Sequence, residues 1–202
     1  MNKNGGDGMR NEYIEKLASI KQVETNRLYL RRFSLVDYLA VYAYGSDQEC
    51  LKYMTWEGVY SHQQAKEVIK HSYLVNPGTF AMEEKESGVC IGCMDIQLIP
   101  QHEKANVGYI MRREYWNFGY MTEALKATLR ICFDVLQLNR VEANHFGGNE
   151  ASGKVMQHAF MQLEGVSKQE VICKGEYVDL HHYAILKEDW EEIHSNENER
   201  LE

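Results

Sequence analysis

Proline is scarce in this chain, two residues in 202, and no segment approaches the roughly 20 consecutive apolar residues that cross a bilayer. The first shortage argues against a proline-rich linker or a low-complexity array. The second leaves no expected membrane span. Basic residues are also in deficit, 22 Lys and Arg against 30 Asp and Glu, for a net charge of −8. Displacing counterions from a nucleic-acid backbone needs clustered cations, so direct nucleic-acid binding is not expected. Acidity suits a cationic partner, an amine or a basic polypeptide, although moderate negative charge serves solubility first. Five cysteines make an odd count, and the opening Met1–Met9 is polar with no apolar stretch. Neither a disulfide framework nor a secretory leader is expected, and a reduced, cytoplasmic protein is the simplest reading. Cys90 and Cys93 have CxxC spacing but lie in an apolar, strand-like stretch without a second pair, which makes them buried thiols by default. His181 and His182 are adjacent on an expected strand and point to opposite faces, so they do not chelate one ion. No metal is expected.

What is present is enough apolar material for a core, 44% hydrophobic and 11% aromatic, in a chain of one-domain length. Residues 1–9 read as a disordered extension, 10–187 as a single domain and 188–202 as an acidic tail that frays. Tyr13, Ile14, Leu17 and Ile20 have helical spacing. Leu28–Phe33 reads as a strand, Ser34 as the cap of a helix over 35–44, and Ser61–Leu74 as a second helix stopped by Asn76-Pro77-Gly78. Residues 79–83 and 89–99 form a hairpin across a polar turn ending in Gly88, and 105–111 adds a third strand. The longest helical pattern, 122–136, is followed by a strand at 140–145, a helix at 150–161 and strands at 170–173 and 179–186. This order is mixed α/β (α+β), not a regular βαβ alternation, and no G-x-G-x-x-G follows the first strand. A dinucleotide-binding oxidoreductase is disfavoured accordingly.

The stretch Val107–Ala124 carries the chemistry. A strand ends, the chain turns through Gly119, and a helix opens near Thr122 with Glu123 in its first turn. Unpaired N–H groups and the positive end of the helix dipole make such a turn an anion site suited to a pyrophosphate. Gly119 removes a side chain that would block close approach. A single Gly before a helix is also a common structural turn, and composition does not separate the two.

Gly108-Tyr109, Trp116-Asn117, Gly119-Tyr120 and Thr122-Glu123-Ala124 nevertheless resemble, in register, the acetyl-CoA motif of the GNAT superfamily of N-acetyltransferases. They are most similar to its ribosomal-protein N-terminal acetyltransferase branch, RimJ and RimL. A second block, Asn139-Arg140-Val141-Glu142-Ala143, Asn149-Glu150-Ala151-Ser152, Ala159-Phe160 and Glu164-Gly165, and the opening Glu24–Arg31, extend the likeness over about residues 24–187. The resemblance implies a central, mostly antiparallel mixed sheet flanked by helices, with splayed strands around the acetyl-CoA site. It implies acetyl transfer to a primary amine by direct attack in a ternary complex, the acceptor being a protein or peptide N-terminus. A small amine such as a polyamine or aminoglycoside is the alternative, as is a CoA-binding or interaction module with little catalysis. It is compatible with a homodimer but does not set the oligomeric state.

Residue by residue, the resemblance matches Ile110 and Met111 to the splayed strand along the pantetheine arm and Trp116, Asn117, Phe118, Gly119, Tyr120, Met121 and Thr122 to the pyrophosphate loop. Asn149 and Ser152 match side chains near the CoA arm and the thioester sulfur. Departures fall on proton handling. The branch often has Glu where this chain has Asn106, and Met156 stands where other members place an acid tyrosine. Ser152 then becomes a candidate acid or sulfur ligand, or else a helix cap. Glu142, acting through a water, and His145, with its near-neutral ordinary pKa, are candidate bases, though an exposed strand carboxylate is commonly just solvated. Asp179 and Tyr183 are candidate linings of the acceptor pocket, and Trp56, in a loop, a candidate substrate wall.

Overall fold

The computed structural model describes residues 4–199. The chain runs α1 (Asn4–Ser19), β1 (Gln22–Glu24), β2 (Leu28–Arg31), α2 (Tyr38–Gly45), α3 (Gln48–Leu51) and α4 (His62–Val68). It continues with β3 (Thr79–Glu84), β4 (Cys90–Ile99), β5 (Lys104–Met111), α5 (Tyr120–Arg130), β6 (Arg140–Phe146), α6 (Glu150–His158), β7 (Gln162–Cys173), β8 (Glu176–Leu186) and α7 (Lys187–Glu199). Eight strands form one sheet in the order β1-β2-β3-β4-β5-β6-β8-β7. All neighbours are antiparallel except β5 and β6, which are parallel.

Strand alternation sends residues to two packed faces. Phe80, Met82, Met94, Ile96, Val107, Val141, Ala143 and Ile185 share a core with Ala124, Leu125 and Leu129 of α5 and Met156 of α6. Ala81, Cys90, Cys93 and Ile110 point the other way, against Val41 and Tyr44 of α2 and Ala65 of α4. We call these the α5 face and the α2 face. All five cysteines are free and buried.

Several boundaries differ from expectation. Residues 1–9, expected to be disordered, are helical from Asn4, with residues 1–3 outside the described part. Gly5, Gly6 and Gly8 are poor helix formers, so the docked half of α1, where Tyr13 and Leu17 are buried, carries this extension. The acidic tail, as far as Glu199, lies in α7, and residues 200–202 are outside the described part. Trp190 is only 3% exposed, stacks on Phe133 with ring centroids 5.5 Å apart and donates from Nε1 to Asp134 at 2.9 Å. One buried aromatic holds an otherwise charged helix to the core. Strand β7 begins at Gln162 rather than 170, and register shifts at Leu163/Gly165 and Ser167/Val171 hide its period-two pattern in the sequence.

Candidate active site

Parallel strands β5 and β6 pair only at Lys104↔Arg140, Ala105↔Val141 and Asn106↔Glu142. Beyond that row β5 continues to Met111 against β4, β6 continues to Phe146 against β8, and the two separate into a wedge. The closed end is fixed electrostatically: the Glu142 carboxylate accepts from Lys104 Nζ at 2.9 Å and from Arg140 Nε at 2.7 Å. Arg140 also pairs with Glu164.

The wedge leads to the α5 N-terminus. Leaving β5, Arg112 donates to Ile91 O at 2.9 Å, a short 3-10 turn spans Arg113–Tyr115, and Asn117 and Gly119 take φ of 66° and 81°. Glu123 N–H donates to Gly119 O at 3.1 Å. The N–H groups of Tyr120, Met121 and Thr122 therefore precede the first intrahelical acceptor, and Gly119 has no side chain to cap them. Positive φ, not crowding, is what this position requires of glycine, since an added Cβ would meet only Arg27 Nη2, at 3.5 Å.

Arg27 is a residue that sequence reasoning passed over. Its backbone N–H and Nε donate to the two Glu123 carboxylate oxygens at 2.7 and 2.8 Å, and Thr25 Oγ1 adds a third bond at 2.6 Å. Burial pushes the Glu123 carboxyl up, but these donors outweigh it and hold its pKa below the ordinary value. Arg27 Nη1 donates to Phe118 O at 2.8 Å, and the guanidinium lies 4.4 Å from the Tyr120 ring centre. The Thr-x-Arg opening and the Thr-Glu-Ala block, 96 residues apart, are thus one clamp on the loop.

Tyr109 is the other. Its hydroxyl crosses from β5 to α6, 2.8 Å from Ser152 Oγ and 3.2 Å from Ser152 O. It stands on the α6 side where sequence comparison looked to Met156, which is buried in the core. The signal was the Gly108-Tyr109 pair, read only as part of the motif.

The remaining expected residues fall into place unevenly. Asn149, not Ser152, caps α6, its Oδ1 accepting from Ser152 N. The Met111 carbonyl is occupied by Trp116 Nε1 at 2.9 Å and by the Cys50 thiol at 3.4 Å, so it is not free for a ligand, whereas Ile110 is half-buried on the α2 face. Phe118 is 65% exposed beside the loop. Burial pushes the Glu142 carboxyl up, its two cations more than reverse this, and the pKa lies below the ordinary value; such a carboxylate is a weak base.

His145 is buried on the α5 face under α6. Its Nδ1 lies 2.9 Å from Phe146 O, and Nε2 would be 2.8 Å from a Cβ at Gly153. Burial pushes its pKa down, and the residue is only 6% exposed. Tyr183, 4% exposed, accepts from Gln157 Nε2 at 3.3 Å and is core, not pocket lining. Asp179 Oδ1 accepts from Gln169 N at 2.9 Å, which spends it on the β7–β8 hairpin. Trp56 is half-buried against Gly45, where an added Cβ would lie 2.7 Å from its ring, so it packs the α2 layer instead of forming an open wall. Its neighbours contact the other half of the sheet: Tyr53 Oη lies beside Gly148, after β6, and Met54 O accepts from the Cys173 thiol of β7 at 3.4 Å.

With this geometry in view, comparison with known proteins is consistent. The acetyltransferase (GNAT) domain family matches residues 27–162, and the chain belongs to that family. It is 31% identical over 168 residues to YnaD, an uncharacterized N-acetyltransferase of Bacillus subtilis, covering 83% of this chain and 98% of the relative. A GNAT-family acetyltransferase structure from Bacillus anthracis superposes with a TM-score of 0.77 at 28% identity, over 83% of this chain and 99% of that one. A more distant relative, the [ribosomal protein uS5]-alanine N-acetyltransferase of Escherichia coli, is 27% identical over 84 residues, 42% of this chain and 43% of its own. The chain is therefore an N-acetyltransferase by family. No helix among the described residues is long and apolar enough to cross a membrane.

Proposed function

We propose that this chain transfers the acetyl group of acetyl-CoA to the α-amine of a protein or peptide, as the RimJ/RimL branch does. The observation that carries the reading is the wedge between β5 and β6 opening onto the uncapped N-terminus of α5. Backbone N–H groups of Tyr120, Met121 and Thr122 suit a pyrophosphate, and the free edge of β5 suits the pantetheine arm. Ile110, Trp116, Asn117, Phe118 and Gly119 line this path, and Asn149 holds the start of α6 beside it.

Held in the wedge, a thioester carbonyl presents its carbon to an amine arriving over the α2 face. Positioning and backbone donors supply much of the rate. As nitrogen attacks, the C–S bond breaks and the thiolate leaves on the α6 side, toward Tyr109 and Ser152. Burial pushes the Tyr109 phenol up, far above a thiol's ordinary pKa of about 8.5. Tyr109 therefore keeps its proton and donates a hydrogen bond to sulfur, and water protonates the thiolate afterwards. An acceptor amine of a polypeptide is supported by the uS5 relative and by the chain's acidity.

The test is calorimetric binding of acetyl-CoA together with thiol release across alanine- and serine-initiated peptides, spermidine and an aminoglycoside. Turnover of peptides above small amines is the expected result. Turnover of small amines alone would replace the acceptor, and binding without any amine-dependent release would overturn the transferase reading.

A further inference from the structure

Asn106 leaves the α2 face without a carboxylate at the end of the wedge, and Glu142 is held by two cations, so a proton acceptor for the incoming ammonium must come from elsewhere. The register supplies one. The last paired row on that face is Asn106, Glu142 and Ala184; the next β6–β8 row is Asn144 and His182. His182 thus stands one strand beyond Asn144, about 4.8 Å, at the level where the wedge opens. Its side chain is 34% exposed. Unlike His181, which stacks on His145 on the opposite face, it is reachable by an acceptor.

His182 is also oriented. Its Nε2 lies 2.9 Å from Glu170 Oε2 and 3.0 Å from Ser167 Oγ, both from β7. The second of the two register shifts that obscure β7 in the sequence, between Ser167 and Val171, falls on these residues, and Ser167 and Glu170 reach one imidazole. A carboxylate on one ring nitrogen fixes the tautomer: Nε2 keeps the hydrogen and donates it, leaving the Nδ1 lone pair. Nδ1 makes no hydrogen bond within the chain among the described residues. Other ionisable groups facing His182 are Glu164 of β7 and, one row back, Glu142 of β6.

We propose that His182 is the general base of the transfer, with Glu170 as its positioning residue; this rests on the transferase reading above. An ammonium N–H bond breaks and its proton passes to Nδ1. The freed pair forms the N–C bond, the C–S electrons leave on the thiolate, the nitrogen gives up its second proton to water as the neutral amide forms, and the imidazolium returns its proton to solvent.

The test is thiol release by the full chain with an alanine-initiated peptide and with spermidine, for wild type, His182→Ala, His182→Asn and Glu170→Gln, over a pH series. Expected for both His182 variants is a loss of about 100-fold or more in kcat at pH 7 with acetyl-CoA affinity unchanged. The deficit narrows as pH rises toward the amine's own pKa, and added imidazole restores part of the His182→Ala rate. Glu170→Gln lowers kcat with little change in KM. A wild type that turns over alongside His182 variants within threefold of it at pH 7 overturns the base alone, as does an equal loss at all pH values without imidazole rescue. A wild type that binds acetyl-CoA but releases no thiol with either amine overturns the transferase reading itself, and the base with it.

Discussion

Gly119 separates two reasons for a glycine, backbone conformation and ligand approach. Its φ of 81° and ψ of 1° lie in the left-handed region, where a residue with Cβ pays about 1–2 kcal/mol. Space is not the obstacle, because an added methyl would meet only Arg27 Nη2 at ordinary contact distance, 3.5 Å. Gly119→Ala should therefore lower stability by that backbone cost. For a chain of this size each kcal/mol moves Tm by about 2–4 °C, so a fall of about 2–8 °C is expected. Asn tolerates this region better, and Gly119→Asn should recover most of the difference. Thermal unfolding by circular dichroism reads this axis, and the Kd for acetyl-CoA reads the other. A phosphate approaching the α5 N-terminus closely would make both variants bind more weakly, Asn more than Ala. Variants that melt within about 1 °C of each other would refute the conformational argument, and unchanged affinity in both would refute the phosphate site.

Glu142→Gln should lower stability at pH 7 and leave kcat within about threefold, where loss of a general base costs 100-fold or more. Because the folded pKa of Glu142 is depressed, its contribution is fully present above the unfolded carboxylate value near ~4.3. It is lost as pH falls through the folded value, so urea midpoints of variant and wild type should converge in acid. Tyr109→Phe removes the bond across the wedge to Ser152 and should cost about 1 kcal/mol in urea unfolding. In a cycle with Ser152→Ala the two losses should fall short of additive, and full additivity would count against the contact. Trp190→Ala deletes a core aromatic from α7 and should cost about 3–5 kcal/mol, visible as a fall in Tm of about 6–20 °C; an unchanged Tm would mean that α7 does not dock.

Local order was legible wherever a segment's own residues decide its conformation. Apolar spacing located α5, the polar turn ending in Gly88 located the β3–β4 hairpin, and Ser61 marked the start of α4, whose Gln64 N–H it accepts at 3.2 Å. The strand-turn-helix around Gly119 was readable for the same reason, since turn, glycine and first helical turn are contiguous. Strand β7 was not, because its two register shifts break the alternation on which a strand is recognised. Helix α7 was missed because the single buried Trp190 cannot outweigh the charge around it in a sequence window.

The sequence by itself thus determined the acetyltransferase family and the place of the loop, both written in short contiguous blocks. Only the tertiary structure decided the ownership of the side chains around the wedge. Glu142 is taken by Lys104 and Arg140, Asp179 by Gln169, Tyr183 and His145 by the core under α6, while Tyr109 meets Ser152 from 43 residues away. A side chain's proton affinity and reach depend on neighbours brought from distant strands, and pairing across a sheet is what brings them.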